Sequence, residues 1–399
     1  MKIFISVSNI VDIGGISTAI INLLNEISSD NEVTICAINN YISPNKRIPE
    51  NVRVLPGSDF LEDCFCDRAK MVNQNFFRKI LRTFRRSARK INGRAWAIER
   101  GINGIDIDEK YDVAIAFSND SYDAVGNIKN GGNYPFVLSK INAARKIAWI
   151  HNDARECGFT KDNCEKIFDG FDAIVNVSYN CKQILDELSP KTISKSKVVY
   201  NMYDLKRIIQ QAGNVSPYQE NGKIHFVTVC RLKNQQKRVD RIIYTVKRLV
   251  DEGYVGFDWT IVGDGDDRAN IEAMIRENNI SEYVVMTGLK PNPYPYMKFA
   301  DAFVLPSLYE GYGMTIKESQ IVGTPTLVTN FGPAHESVKE GENGLICDNS
   351  AEGLYGMIKS VLEDPSILVN LKRELMIHPV DNTVALKQFY DVCTGDDAS

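Results

Sequence analysis

No apolar run in this chain is long enough to cross a bilayer. The opening MKIFISVSNIV is broken by Ser8 and Asn9, which leaves it too short for the apolar core of a signal peptide and far too short for a membrane span. It reads as a first strand, and a cytoplasmic protein is expected. Paired cysteines are missing as well. The nine cysteines are odd in number, scattered over positions 36, 64, 66, 157, 164, 181, 230, 347 and 393, and without C-x-x-C spacing, which excludes the usual zinc and redox frames and points to reduced thiols. No repeat at a solenoid period and no low-complexity tract occurs. The net charge is only -4, so the total gives no reason to expect a nucleic-acid partner, although a small total can conceal a strongly charged region.

What remains is an ordinary globular composition, 44% hydrophobic and 25% charged, which argues against a disordered or fibrous chain. At 399 residues the chain exceeds what a single core usually supports, so two domains of about 200 residues are expected. Short apolar runs at 2–7, 32–38, 111–117, 145–150, 172–178 and 197–201 read as strands with helices between most of them, the first helix running over about 17–27. The pattern restarts at 223–229 and continues at 258–263, 283–288, 301–306, 325–329 and 344–347. Strands alternating with helices imply α/β units with parallel sheets covered on both faces. The expected organisation is an N-terminal Rossmann-like domain over 1–203, a polar linker over 204–222 whose first turn could be helical, and a second Rossmann-like domain over 223–380. The C-terminal segment 381–399 is expected as a helix crossing back to the first domain.

The richest segment is LPSLYEGYGMTIKESQIVGTPTLVTNFGPAHESV, at 305–338. A strand ends at Pro306, and a loop holding Glu310, Gly311, Tyr312 and Gly313 leads into a helix that begins near Met314 and Thr315. Free N–H groups and the positive dipole end at such a start attract phosphate, and the glycines let a ligand approach. On spacing alone, Glu310 is equally a charge favoured by the dipole and Glu318 a solvated helix residue. In CRLKNQQKRVDRII, Arg231 and Lys237 sit beyond a strand, at the carboxyl edge where open α/β sheets bind ligands. A planar guanidinium and a mobile ammonium there suit a diphosphate; a solvated basic turn is the plain alternative. The loop IVGDGDD brings Gly263 to the same edge. Its Asp264 and Asp266 mimic a D-x-D metal pair but read as an Asp-rich helix start, so no metal site is expected.

Taken together, these residues resemble glycosyltransferase family 4, the retaining group 1 type, whose members have the GT-B arrangement of two facing Rossmann-like domains. The resemblance rests on Glu310 and Glu318 with seven residues between them, on Arg231 and Lys237, and on AHESV and GENGLI downstream. It is looser in the N-terminal half, through DIGGIS, AWIHND and VNVS. It implies that Arg231 and Lys237 bind the diphosphate of a nucleotide-sugar donor, that Glu318 binds the ribose hydroxyls and that Glu310 meets the transferred sugar. Gly15 would approach the phosphates, and His151, after the strand AWI, would line the sugar pocket; a capping or core role is the alternative for that histidine. Gly263, Gly311, Tyr312, Gly313, Met314 and Thr315 complete the implied donor site. His335 is assigned no catalytic role. Cys230, where glycine often precedes the arginine, and Ser319, where alanine is frequent, depart from the family's pattern without removing a polar contact.

The resemblance also implies a UDP-sugar as the commonest donor, a glycan or lipid-linked acceptor in cell-surface polysaccharide synthesis, and front-face transfer with no cofactor or metal. A GT-B epimerase, a phosphorylase, or an inactive partner of another transferase stand as alternatives, since fold alone does not set function. One charged region does hide in the near-neutral total. Residues 78–100 hold nine Lys or Arg and a single acid. Phe77, Leu81, Phe84, Ala88 and Ile91 recur there at helical spacing, so this segment could lie on an anionic membrane surface, making the protein peripheral at the inner face of the plasma membrane. Packing of the apolar face on its own domain is the alternative. Nucleic acid ranks low, because no recognised module accompanies the patch.

Overall fold

The computed structural model describes residues 1–12, 14–66, 76–123 and 126–396. The chain divides into two units, one formed by Met1–Tyr203 with Asn382–Ser399 and the other by Asp204–Asp381. Both are parallel α/β sheets of the doubly wound kind.

In the first unit, strands β1 (Lys2–Val7), β2 (Glu32–Ala37), β3 (Arg53–Leu55), β4 (Lys110–Ala116), β7 (Asn142–Ile150), β8 (Ala173–Asn176) and β9 (Ser196–Val198) form one sheet in the order β3-β2-β1-β4-β7-β8-β9. A small antiparallel pair, β5 (Ser121–Tyr122) and β6 (Ile128–Asn130), stands apart from it. Ile3, Phe4, Ile5 and Val7 of β1 are all buried, as expected for a central strand covered on both faces. Helix α1 (Gly15–Ile27) follows β1. Three more helices, α2 (Asp59–Phe65), α3 (Phe76–Asn92) and α4 (Arg94–Asn103), fill the long crossover from β3 to β4. The polar edge strand Arg53–Leu55 and the pair β5–β6 are too short to read from the sequence. The C-terminal helix Thr383–Thr394 belongs to this unit: Arg145 donates from Nε to the Val392 carbonyl at 2.8 Å, and the Phe389 ring lies 6.4 Å from Trp149.

In the second unit, β10 (Ile224–Val229), β11 (Phe257–Val262), β12 (Val284–Gly288), β13 (Ala302–Leu305), β14 (Thr326–Thr329) and β15 (Gly344–Cys347) form a sheet ordered β12-β11-β10-β13-β14-β15. From β10 the chain winds outward one way to β12, then returns to place β13 on the other side of β10. The gap beyond β10 and β13 is therefore the switch point at which such sheets bind ligands. In the first unit the corresponding pair is β1 and β4.

The expected linker over 204–222 is corrected. Its first half is the helix Leu205–Ala212, which belongs to the second unit. Asp204 caps it by accepting from the Arg207 N–H at 3.0 Å, and Ile208 and Ala212 are buried one turn apart. Asn292 donates to the Gln211 carbonyl at 2.7 Å, closing the last turn. The polar composition concealed a helix with a narrow apolar stripe.

Candidate nucleotide-sugar site

Arg231 and Lys237 come from the segment that leaves β10, and Glu310 from the segment that leaves β13, so these three stand at the carboxyl edge on both sides of the switch point. The short helix Asn234–Lys237 is fastened to the loop after β13. The Leu308 N–H donates to the Gln236 carbonyl at 2.8 Å, and Gln236 donates from Nε2 to the Tyr309 carbonyl at 3.3 Å. That clamp brings the Lys237 ammonium into an ion pair with Glu310 Oε1, both side chains largely buried, at 16% and 8% exposure. Ser307 donates its hydroxyl to the same oxygen at 2.6 Å. Burial works against the Lys237 charge, yet the adjoining carboxylate more than offsets it, and the lysine pKa lies above its ordinary value. Arg231, by contrast, is exposed. Ser307 was not singled out from the sequence, although its position three residues before Glu310 on a tight loop is the kind of signal that could have found it.

The helix Met314–Ile321 starts from Gly313, whose φ of 76° is a left-handed conformation that glycine adopts without cost. Met314 and Thr315 occupy its first turn and are partly exposed, so their N–H groups are the free ones of a helix start. Glu318 is buried and accepts from the Tyr294 hydroxyl at 3.4 Å; burial, with Glu318 beside it, pushes the Tyr294 pKa up. The reading of Glu318 as a solvated helix residue is therefore excluded. Tyr312 stands on the same loop with its side chain in the interior. Gly263 also has a packing reason to be glycine. At φ 151° a Cβ there would lie 1.9 Å from the Cys230 carbonyl oxygen, so the loops after β10 and β11 touch backbone to backbone. Asp264 accepts from the Gly265 N–H at 2.8 Å and pairs with Arg268 at 3.5 Å, in keeping with the helix start read there. At the two departures from the family pattern, Cys230 is buried and its thiol is pushed up to about 12 by that burial. Ser319 returns its hydroxyl to the Ile316 carbonyl at 2.8 Å.

In the first unit, His151 follows β7 and is 8% exposed. Its Nε2 lies 2.8 Å from the Phe117 carbonyl just beyond β4. A carbonyl only accepts, so Nε2 carries the proton and Nδ1 keeps a lone pair. The ring packs edge-on against Phe117 at 4.6 Å and stacks on Trp149 at 6.2 Å. Burial lowers its pKa to about 4, with the Phe117 hydrogen bond only partly opposing the shift, so the imidazole is neutral near pH 7. Gly15 is the first residue of α1, where a Cβ would meet nothing within 4 Å; packing does not demand glycine there. Ile13 of the same loop lies outside the described residues. A cavity of about 730 Å³ elsewhere in this unit, lined by Phe60, Arg85, Trp96 and Arg100 among others, holds none of the candidate residues. None of the nine cysteines forms a disulfide among the described residues.

With this geometry in hand, residues 215–376 match the family model for glycosyl transferases group 1. Over that segment the chain is similar to the group 1 glycosyltransferases. It is 26% identical over 267 residues to an uncharacterized glycosyltransferase of Methanocaldococcus jannaschii, an alignment covering 60% of this chain and 63% of that protein. It is 31% identical over 112 residues to the lipopolysaccharide core biosynthesis glycosyltransferase LpsE of Rhizobium meliloti, covering 28% of this chain and 33% of that protein. The chain thus spans from a third to just under two thirds of the length of these two relatives. Among solved structures, Anabaena HepE in complex with UDP and glucose aligns with a TM-score of 0.67 at 13% identity, covering 99% of this chain and 100% of that one. The group 1 glycosyltransferase fold is GT-B, two Rossmann-like α/β units, as the resemblance implied.

Proposed function

We propose that this chain is a group 1 glycosyltransferase that transfers a sugar, with retention of anomeric configuration, from a nucleotide-sugar donor to a glycan or lipid-linked acceptor in cell-surface polysaccharide or glycoconjugate synthesis. The observation that carries this reading is the buried Lys237–Glu310 pair, with Arg231 beside it, at the switch point of the second sheet. Transfer breaks the bond from the anomeric carbon to a phosphate oxygen, and negative charge grows on the departing diphosphate. Arg231, the Lys237 ammonium and the N–H groups of Met314 and Thr315 are the groups that would stabilise it. A diphosphate competes with Glu310 for Lys237, which frees that carboxylate, still held by Ser307, to accept from the hydroxyls of the sugar. Glu318, fixed by Tyr294, would accept from the ribose. Neutral His151 offers its Nδ1 lone pair to a sugar hydroxyl. In the front-face reaction the acceptor oxygen bonds to the anomeric carbon as the phosphate leaves, and its proton passes to the departing phosphate oxygen, so no cation beyond those of the chain is called for. A UDP-sugar is the favoured donor class, supported by the UDP seen with HepE.

Release of nucleoside diphosphate from a panel of UDP-, GDP- and ADP-sugars tests this, with excess chelator in a parallel series. Release from one donor is expected, undiminished by chelator and reduced by a hundredfold or more in Glu310→Ala and Lys237→Ala, in line with the loss of groups that stabilise transition-state charge. Release that depends on added Mg or Mn ions would refute the metal-free mechanism. Silence across the panel, with no donor-induced thermal shift, would favour an inactive partner protein.

A further inference from the structure

Helix α3 is mounted inside out. Its apolar residues recur at 77, 80, 81, 84, 88 and 91, one stripe of a helix with about 100° per residue. In a globular domain that stripe would face the core. Here Phe77, Phe84 and Ile91 are 79%, 71% and 82% exposed, and Ile80 and Leu81 are exposed with them, while Arg82 on the opposite side is buried at 6%.

The arginine side faces inward because it has specific acceptors on α2. Arg82 donates to the Cys66 carbonyl at 2.6 Å, and Arg86 donates from Nε to the Asp63 carbonyl at 2.9 Å. These lie in the last turn of α2 and just past it, where carbonyls lack helical partners and the dipole favours cations. Arg85 pairs with Asp63 at 2.8 Å and Arg78 with Glu62 at 3.1 Å. These contacts fix the sense of the helix, so the outward ridge is not available to the unit's own core. Lys79 and Lys90 lie on the flank of the helix between the ridge and the inward arginine face, exposed and without an ion pair among the described residues.

We propose that α3 is a membrane-docking helix, its Phe77–Phe84–Ile91 ridge seated at the headgroup–acyl boundary of an anionic leaflet with Lys79 and Lys90 on lipid phosphates. The charge selects this occupant. A second copy would bring two segments of nine cations and one acid each into contact, whereas an anionic surface complements them. Among the described residues no helix is long and apolar enough to cross a membrane, so docking is by this surface helix. The proposal stands independently of the transferase reading, since its readout is binding.

Flotation of the full chain with vesicles of roughly one-third phosphatidylglycerol in phosphatidylcholine, against pure phosphatidylcholine, decides it. The wild type should float with the anionic vesicles and stay below with the neutral ones. Phe77→Ser with Phe84→Ser should lower partitioning by at least about tenfold, and Lys79→Glu with Lys90→Glu by roughly twentyfold or more. Neither pair should shift the melting temperature, because all four side chains are exposed. Equal recovery of the wild type in the soluble fraction with and without anionic lipid overturns the proposal. So does a wild-type dimer, by light scattering, that Phe77→Ser with Phe84→Ser splits while vesicle recovery stays unchanged.

Discussion

The two sheets solve the same problem in opposite ways at their carboxyl edges. Beyond β10 and β13, a lysine and a glutamate share one largely buried spot, and the lysine keeps its charge because the carboxylate is there. Beyond β4 and β7, a histidine that meets a carbonyl and two aromatic rings gives its charge up. A buried charge survives where a counter-charge replaces water, and titrates away where none does. On the proposed reading, the first edge would receive a charged diphosphate and the second would meet neutral hydroxyls.

The largest test of this contrast is to strip one partner from the charged pair. Lys237→Ala or Glu310→Ala alone leaves an uncompensated buried charge and should lower unfolding free energy by roughly 3–5 kcal/mol. Replacing both with apolar residues, Lys237→Met with Glu310→Leu, should recover most of that loss, since apolar substitutes for a buried ion pair are often neutral. Urea unfolding of the three variants measures it. Additive losses in the double variant would show that each charge is held by other groups.

The neutral ring is tested by pH. The folded chain protonates His151 only near pH 4, whereas the unfolded chain does so near the ordinary histidine value of 6.5. Between those values the unfolded state binds more protons, so this group's contribution to stability rises with pH across that window. Acidification from pH 7 to 4 forfeits roughly 3 kcal/mol from this residue, with little further loss below. His151→Gln removes that component, so the stability gap between wild type and variant should be widest at pH 7 and shrink by pH 4.5. An unchanged gap would mean that the folded chain protonates His151 at the ordinary histidine value, as the unfolded chain does.

The strands were legible because buried parallel strands are short apolar runs, and the candidate residues at the edge of the second sheet were singled out because their spacing carried a resemblance. The partners that fix those residues were not. Nothing local tells that Lys237 meets Glu310, that Phe117 satisfies His151 or that Tyr294 reaches Glu318, since each is a contact between distant segments. Amphipathic helices show the same limit. The helix Asp240–Asp251 buries its apolar Ile242, Ile243, Val246 and Leu249, while α3, with an equally clear stripe, turns it outward. Periodicity gives the two faces of a helix; only the acceptors waiting on α2 decide which face goes in. The helix Leu205–Ala212 runs past the single turn read there for a related reason, its two buried residues being too few to stand out in a polar stretch.

The smallest expected effect concerns Glu318, a buried carboxylate that accepts from a tyrosine hydroxyl at 3.4 Å. That distance is near the limit of a useful hydrogen bond, so Tyr294→Phe should cost under about 1 kcal/mol of stability. Its consequence for turnover separates two kinds of carboxylate. If Glu318 grips the ribose, a part of the donor that does not react, loosening it weakens ground state and transition state alike. The donor KM should then rise a few-fold with kcat unchanged. Glu310, if it meets the reacting sugar as proposed, belongs to the other class, where kcat falls. A Tyr294→Phe variant whose kcat drops while KM holds would put Glu318 among the groups that act only in the transition state. The division of labour between the buried pair and the buried carboxylate would then have to be redrawn.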